Sequence, residues 1–190
     1  MTATAEQDLT PAARRILAAA TDLFYSRGIN SVGVELVAER AGTTKTALYR
    51  RWSSKADLVH EAAFPAAPTA LTTPEGDIAG DVRAMIAAAR DVFTSPLVRA
   101  ALPGLIADMA ADPDLNTRVM GRFIGVFDVV RERLVHAVER GEVHSDVDPG
   151  RLIEVIGGAT LLSMLLQPGE QLDEHWVDQT AAIVVHGVVA

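Results

Sequence analysis

Between residues 43 and 55 the chain reads TTKTALYRRWSSK. Thr43, Thr44, Lys45 and Thr46 place three hydroxyls and an ammonium side by side. Tyr49, Arg50 and Arg51 follow with a phenol and two guanidinium groups, and Lys55 closes the run. Short hydroxyl side chains and one lysine reach base edges and thymine methyls without holding a helix away from them. Guanidinium, ammonium and phenol groups suit phosphate oxygens. Lys45 and Lys55 are the only two lysines in the chain. A charge cluster of this size is most often a solvated face, so the elements that carry it decide its meaning.

Those elements read as two short helices joined by a turn. Val34, Val37 and Ala41 supply the buried side of a helix over residues 34–41, and a second helix covers 44–51. Helices that cross steeply over a short turn need a small residue where the second passes, here Ala38. They also need a glycine at the turn, Gly42, and an apolar anchor on the second helix, Leu48. The cluster from Thr43 to Thr46 then falls at the start of the second helix, the end that enters a major groove. Thr44 caps that helix, and its exposed N–H groups suit a phosphate. Trp52 reads as core, and Tyr49 as amphipathic, its ring packed and its hydroxyl on phosphate.

Around this pair the chain is helical, with no run of alternating polarity that reads as a strand. Thr10-Pro11 starts a first helix, Ile16, Ala20, Leu23 and Phe24 form its apolar stripe, and Gly28 ends it. Ser54 caps a fourth, with Asp57 completing a capping-box-like pair. Residues 65–77 (PAAPTALTTPEGD) hold three prolines and a glycine and mark a boundary between domains 1–64 and 65–190. Five further helices are expected at about Ile78–Thr94, Pro96–Ala111, Pro113–Arg140, Pro149–Gln167 and Asp173–Val188. Three of their starts are marked by a capping residue and a proline.

Composition bounds the function classes. Of 190 residues, 49% are apolar, enough for a sizeable core. There is no cysteine, hence no disulfide, thiol nucleophile or thiolate metal site. The five histidines (His60, His136, His144, His175 and His186) are scattered, and no nucleophile elbow, P-loop, dinucleotide fingerprint or zinc motif is present. No catalytic residue, metal or cofactor is expected. The net charge of −8 splits unevenly. Residues 1–64 carry eight basic and seven acidic side chains, a net of +1, whereas the remainder carries −9. The acidity belongs to the C-terminal part and serves solubility. Residues 1–9 read as a polar tail, and the apolar stretch around Leu152–Leu166 reads as too short and interrupted for a bilayer, so a soluble, cytoplasmic protein is expected.

The stretch from Ile16 to Leu58 resembles the DNA-binding domain of TetR-family regulators. The residues that carry the resemblance are Ile16 to Ala20, Leu23-Phe24, Arg27-Gly28, Val37-Ala38, Ala41-Gly42-Thr43-Thr44, Leu48-Tyr49, Trp52, Ser54-Lys55 and Leu58. The resemblance implies an all-α fold of about nine helices: a three-helix helix-turn-helix domain, then a helical ligand-binding and dimerisation domain. It implies a homodimer on a palindromic operator in double-stranded DNA, with Tyr49 and Lys55 on phosphates, acting as a repressor released by a small-molecule effector. A regulator without an effector shares the same N-terminal evidence. Gly33 departs from the pattern, since many members place a capping threonine there.

The C-terminal domain is read mainly from its own residues. The helix from Pro149 carries few polar residues, on two separate sides, and holds Gly157-Gly158 in its interior, which suits close approach by another helix. Trp176, Val177, Ile183, Val184, Val185 and Val188 make the last helix similarly apolar. The resemblance implies that these two helices form the dimer interface. Met85, Phe93, Met109, Met120, Phe123 and Phe127 lie at inward-facing spacings on the middle helices. Core packing accounts for any one of them, and the resemblance implies that some line a pocket for an apolar or amphipathic effector.

Overall fold

The computed structural model describes residues 9–64, 76–166 and 172–188, and all nine α-helices among them lie close to the expected positions. They are α1 (Pro11–Arg27), α2 (Val34–Arg40), α3 (Lys45–Tyr49), α4 (Lys55–Ala63), α5 (Ile78–Thr94), α6 (Pro96–Ala111), α7 (Pro113–Glu139), α8 (Pro149–Leu166) and α9 (Glu174–Val188). A single 3₁₀ turn, Ile29–Ser31, follows α1. The fold is all-α. The polar tail up to residue 8 and most of the proline-rich boundary (65–75) lie outside the described residues.

The helices fall into two compact units. The first joins the described residues before Ala66 to Ser95–Phe123, so α6 and the opening of α7 pack with α1–α4. The second takes α5, α7 from Ile124, α8 and α9. The contacts therefore draw the first unit more widely than a cut at residue 64.

In the first unit, Thr10 Oγ1 accepts from Ala13 N at 3.2 Å and Pro11 occupies the first turn of α1, where its missing N–H costs nothing. Ile16, Ala20, Leu23 and Phe24 are buried, as their spacing demands, together with Val37, Leu48, Trp52 and Leu58 from the next three helices. Leu105 of α6 and Leu115 and Val119 of α7 form a second cluster, against which Ala56, Phe64, Met109 and Phe123 pack.

In the second unit, α5 packs against α8 and α9. Its core includes Val82, Ile86, Val130, Leu134, Leu152, Ile156, Val177 and Val184. An ion pair between Arg133 and Asp81 is buried in this unit. Arg83 reaches Glu174 and Asp178 of α9 at 2.7 Å each, and Arg90 reaches Glu174 at 2.7 Å. The helix α8 is longer than the apolar stretch read in the sequence and is, by length and composition, apolar enough to cross a membrane. Its Leu152, Ile156, Thr160 and Met164 are nevertheless buried within the unit, so one stripe of the helix is packed and the rest is open.

Candidate nucleic-acid interface

The turn between α2 and α3 is built by hydrogen bonds that only a left-handed residue can close. Gly42 has φ 64°, its N–H donates to Glu39 O at 3.0 Å, and Thr43 N–H donates to Ala38 O at 2.9 Å. This pair of bonds is a Schellman motif, and it caps the last carbonyls of α2 while turning the chain into α3. Thr44, in an extended conformation, then accepts from Ala47 N on its Oγ1 at 3.2 Å, starting α3 as the sequence predicts. Leu48 is fully buried and fixes the inner face of this short helix.

With that face fixed, the outer one follows. Thr44, Lys45, Thr46, Tyr49, Arg50 and Arg51 are all exposed, and Thr43 is half-buried at the turn. The structure thus leaves the predicted residues from 44 to 51 exposed on α3 and its flanks. The helix ends two residues earlier than expected. Arg50 and Arg51 form a turn, because Ser54 must become extended to cap α4. Ser54 Oγ accepts from Asp57 N at 3.1 Å. Asp57, a methylene shorter than the glutamate of a full capping box, accepts instead from Ser53 N and Oγ, at 3.1 and 3.3 Å.

Three of the cations here, Lys45, Arg51 and Lys55, have internal partners. Lys45 Nζ donates to Glu35 Oε1 and lies 5.8 Å from the centre of the Tyr49 ring. Its hydrogen bond to Glu35 holds the Lys45 ammonium above the ordinary lysine range. The same bond, with Glu35's own backbone N–H, holds that carboxyl below the carboxylate range. Arg51 lies over the Trp52 ring and donates to Glu61 Oε1 at 3.3 Å, while Trp52 Nε1 donates to Glu61 Oε2 at 3.0 Å. Trp52 is fully buried, as read from the sequence. Lys55 is half-buried, and its Nζ donates to Ile29 O at 2.7 Å rather than projecting beside α3. Sequence reasoning missed Glu35 and Glu61, because pairs ten residues apart across a turn leave no local pattern.

The six apolar residues read as candidates for an effector pocket are shared between the two units. Met109 and Phe123 pack on the α6–α7 cluster of the first unit, and Met120 is exposed there. Met85 is buried in the core of the second unit, where Phe93 and Phe127 are partly buried. The first unit holds an open groove of about 460 Å³ lined by Ile29, Lys55, Val59, Pro103, Gly104 and Asp108, among others. Among the described residues no group of His, Asp and Glu is placed to hold a metal.

Residues 16–62 match the model of bacterial regulatory proteins of the tetR family, and residues 72–184 match the tetracyclin repressor-like C-terminal domain. The chain belongs to the TetR family. Members are DNA-binding transcriptional regulators rather than enzymes, and this TetR-family chain is such a regulator. It is 25% identical over 180 residues to the uncharacterized HTH-type transcriptional regulator YdeS of Bacillus subtilis, covering 93% of this chain and 89% of that one. The structure of the TetR family transcription regulator SCO0332 superposes with a TM-score of 0.76 at 30% identity, covering 94% of this chain and 99% of the other. FadR of Bacillus subtilis, solved in complex with stearoyl-CoA, shares the fold at a TM-score of 0.61 and 12% identity, over 92% of this chain and 98% of FadR.

Proposed function

We propose that the protein is a cytoplasmic repressor that occupies a palindromic operator as a homodimer and is released by a small apolar or amphipathic effector. The observation that carries the DNA-binding part is the set of exposed polar side chains from Thr44 to Arg51 on α3 and its flanks, backed by the buried Leu48 and Trp52. Thr43, Thr44, Lys45 and Thr46 read base edges, and Tyr49, Arg50, Arg51 and Lys55 hold phosphates. For Arg51 and Lys55 this role requires an exchange: Glu61 and the Ile29 carbonyl give way to phosphate oxygens on binding.

The dimer is supported by α8. Val155, Leu162, Leu165 and Leu166 are each more than half exposed and follow one another at helical spacing. Gly158 lies on the same stripe, and a Cβ added there meets no atom within 4 Å. The close approach that two adjacent glycines suit is thus not made by the described residues, and a second copy fills it. On α9, Ile183 is 73% exposed and extends the apolar surface. A two-fold pair of heads then spaces its recognition helices about 34–36 Å apart, one turn of DNA.

Effector release rests on the family architecture and on a fold that in FadR accommodates an acyl-CoA. Ligand and operator would favour different dimer geometries, with α4 as the lever, so each weakens the other by the same factor. A tenfold loss of operator affinity needs only ~1.4 kcal/mol of coupling. A regulator without an effector shares the same DNA-binding head and is the second reading.

The test is a selection of bound duplexes from genomic DNA, followed by a salt series on the best site. With about four phosphates held per subunit, the log–log slope is near −7 for a dimer. Absence of binding to any duplex, or binding insensitive to salt, refutes the reading. A thermal-shift screen with operator competition then separates the two forms: hits that stabilise the protein yet leave operator affinity unchanged favour the effector-free regulator.

A further inference from the structure

The side chain placed to control the base-reading lysine is not on the recognition helix. Glu35 stands in the first turn of α2 and Lys45 at the first position of α3. Their ion pair therefore ties together the starts of the two helices that form the motif. Two further contacts shape this tie. The second carboxylate oxygen of Glu35 lies 3.1 Å from the position a Cβ on Gly33 would take, so the side chain is folded back over the start of α2. Gly33, the N-cap there, makes no side-chain hydrogen bond of its own. On the far side, the Lys45 ammonium lies 5.8 Å from the Tyr49 ring centre, within cation–π range. The one lysine aimed at base edges is thus held between a carboxylate and an aromatic ring.

We propose that Glu35 is a specificity-determining residue that withholds Lys45 from DNA lacking the cognate bases. The inference rests on the DNA-binding reading above. Both partners are well exposed, Glu35 at 66% and Lys45 at 50%, so the pair is screened and readily exchanged. On a random duplex no base edge is held in register with Lys45, and phosphates are what it has to gain. Leaving Glu35 for one of them strands a carboxylate beside a polyanion, so the exchange returns little and the lysine stays paired. On the operator, a base edge with two acceptors, such as guanine N7 and O6, draws the ammonium in a fixed direction and rewards the exchange. Glu35 therefore lowers non-specific affinity more than operator affinity, and the ratio of the two is the quantity that matters in a genome.

The experiment compares the full-length protein with its Glu35→Gln and Glu35→Ala variants on two duplexes, a random 30-base-pair sequence and the selected operator. Affinities are read by fluorescence anisotropy across a potassium chloride series. Either variant frees Lys45 to take a phosphate on random DNA. Non-specific affinity then rises about fivefold or more at moderate salt, and its log–log slope steepens by roughly two per dimer, one ion for each freed lysine. Operator affinity rises less, and its slope holds, so the specificity ratio falls. Adding Lys45→Ala to Glu35→Gln abolishes the non-specific gain. A gain that survives in the double variant shows Glu35 acting as a bare repulsive charge and overturns the proposal. Unchanged non-specific affinity and slope in both single variants also overturn it, as does a loss confined to the operator. If the wild-type protein binds no duplex, the DNA-binding reading itself fails; if it binds and the variants match it, only this inference does.

Discussion

Arg118 Nη2 donates to Ser53 Oγ at 2.9 Å, and Ser53 Oγ in turn donates to the buried carboxylate of Asp57 at 3.3 Å. The Nε of Arg118 lies 3.8 Å from the same carboxylate oxygen. The opening of α7 is thereby fastened to the junction that ends the recognition helix and starts α4. Because Arg118 is partly exposed, the fastening is worth less than a buried charge pair. Arg118→Ala is expected to destabilise the first unit by about 1 kcal/mol. In urea titrations a double-mutant cycle with Ser53→Ala should give a coupling of at least ~0.5 kcal/mol. Additive single effects would show that the contact carries no energy.

The α2–α3 turn makes a sharper demand. Gly42 sits at φ 64°, where an L side chain costs roughly 1–2 kcal/mol. Gly42→Ala should lower stability by that amount although nothing lies within 4 Å of the added methyl, so the loss is conformational and not steric. Leu48→Ala removes the anchor of α3 at a fully buried site and should cost about 2–5 kcal/mol, with operator binding lost alongside. Chemical denaturation of both variants tests the pair.

Gly33 presents the opposite case. It caps α2 in an extended conformation that any residue adopts, φ −87° and ψ 159°. Gly33→Ser should stabilise the protein by a few tenths of a kcal/mol by supplying the missing cap and stiffening the unfolded chain. Among the described residues beyond its chain neighbours, the new Cβ meets the flexible end of Glu35, which moves aside. A thermal midpoint that falls would mean that the displaced Glu35 carboxylate mattered more than the cap.

The open stripe on α8 predicts a separable defect. Leu162→Glu and Ile183→Glu place charges at exposed positions, so the helical content of the chain should persist. Sedimentation at micromolar concentration should show a monomer, with operator affinity reduced by orders of magnitude. Variants that remain dimeric would move the interface elsewhere.

Glu174 accepts hydrogen bonds from Arg90 and Arg83, and these hold its carboxyl below the ordinary carboxylate range. A depressed folded-state value means that the stabilisation is full above the unfolded value, about 4.3, and fades as pH falls through the folded value. Glu174→Gln should therefore be less stable than the wild type at neutral pH, with the difference closing below about pH 4. A gap between their thermal midpoints that does not narrow on acidification would contradict this.

Helix starts and the turn were legible because their determinants are local. Thr10-Pro11, Thr44, Ser54 and Ser95 each act within three residues, and each accepts a backbone N–H as its sequence position predicts. The exposed face of α3 was legible for a related reason, since burying Leu48 leaves its helical neighbours outside. What could not be read were pairings between elements: Glu35 with Lys45, Glu61 with Trp52, Arg118 with Ser53. Each joins side chains brought together only after the helices cross. Inward spacing on a helix likewise does not say which core a side chain joins: Met109 and Phe123 pack in the first unit and Met85 in the second.

The unit that carries the recognition helix is discontinuous along the chain, drawing its core from residues before Ala66 and again from Ser95–Phe123. Recombination at the proline-rich segment would thus cut through a single packing body. A chimera that grafts residues 1–64 onto another member's sensing domain would leave Phe64 and Ala56 facing a foreign α6 and a foreign opening of α7. Heads of this protein are expected to transplant only when that second stretch travels with them, and its descendants to exchange operators by point substitution on α3 more readily than by shuffling.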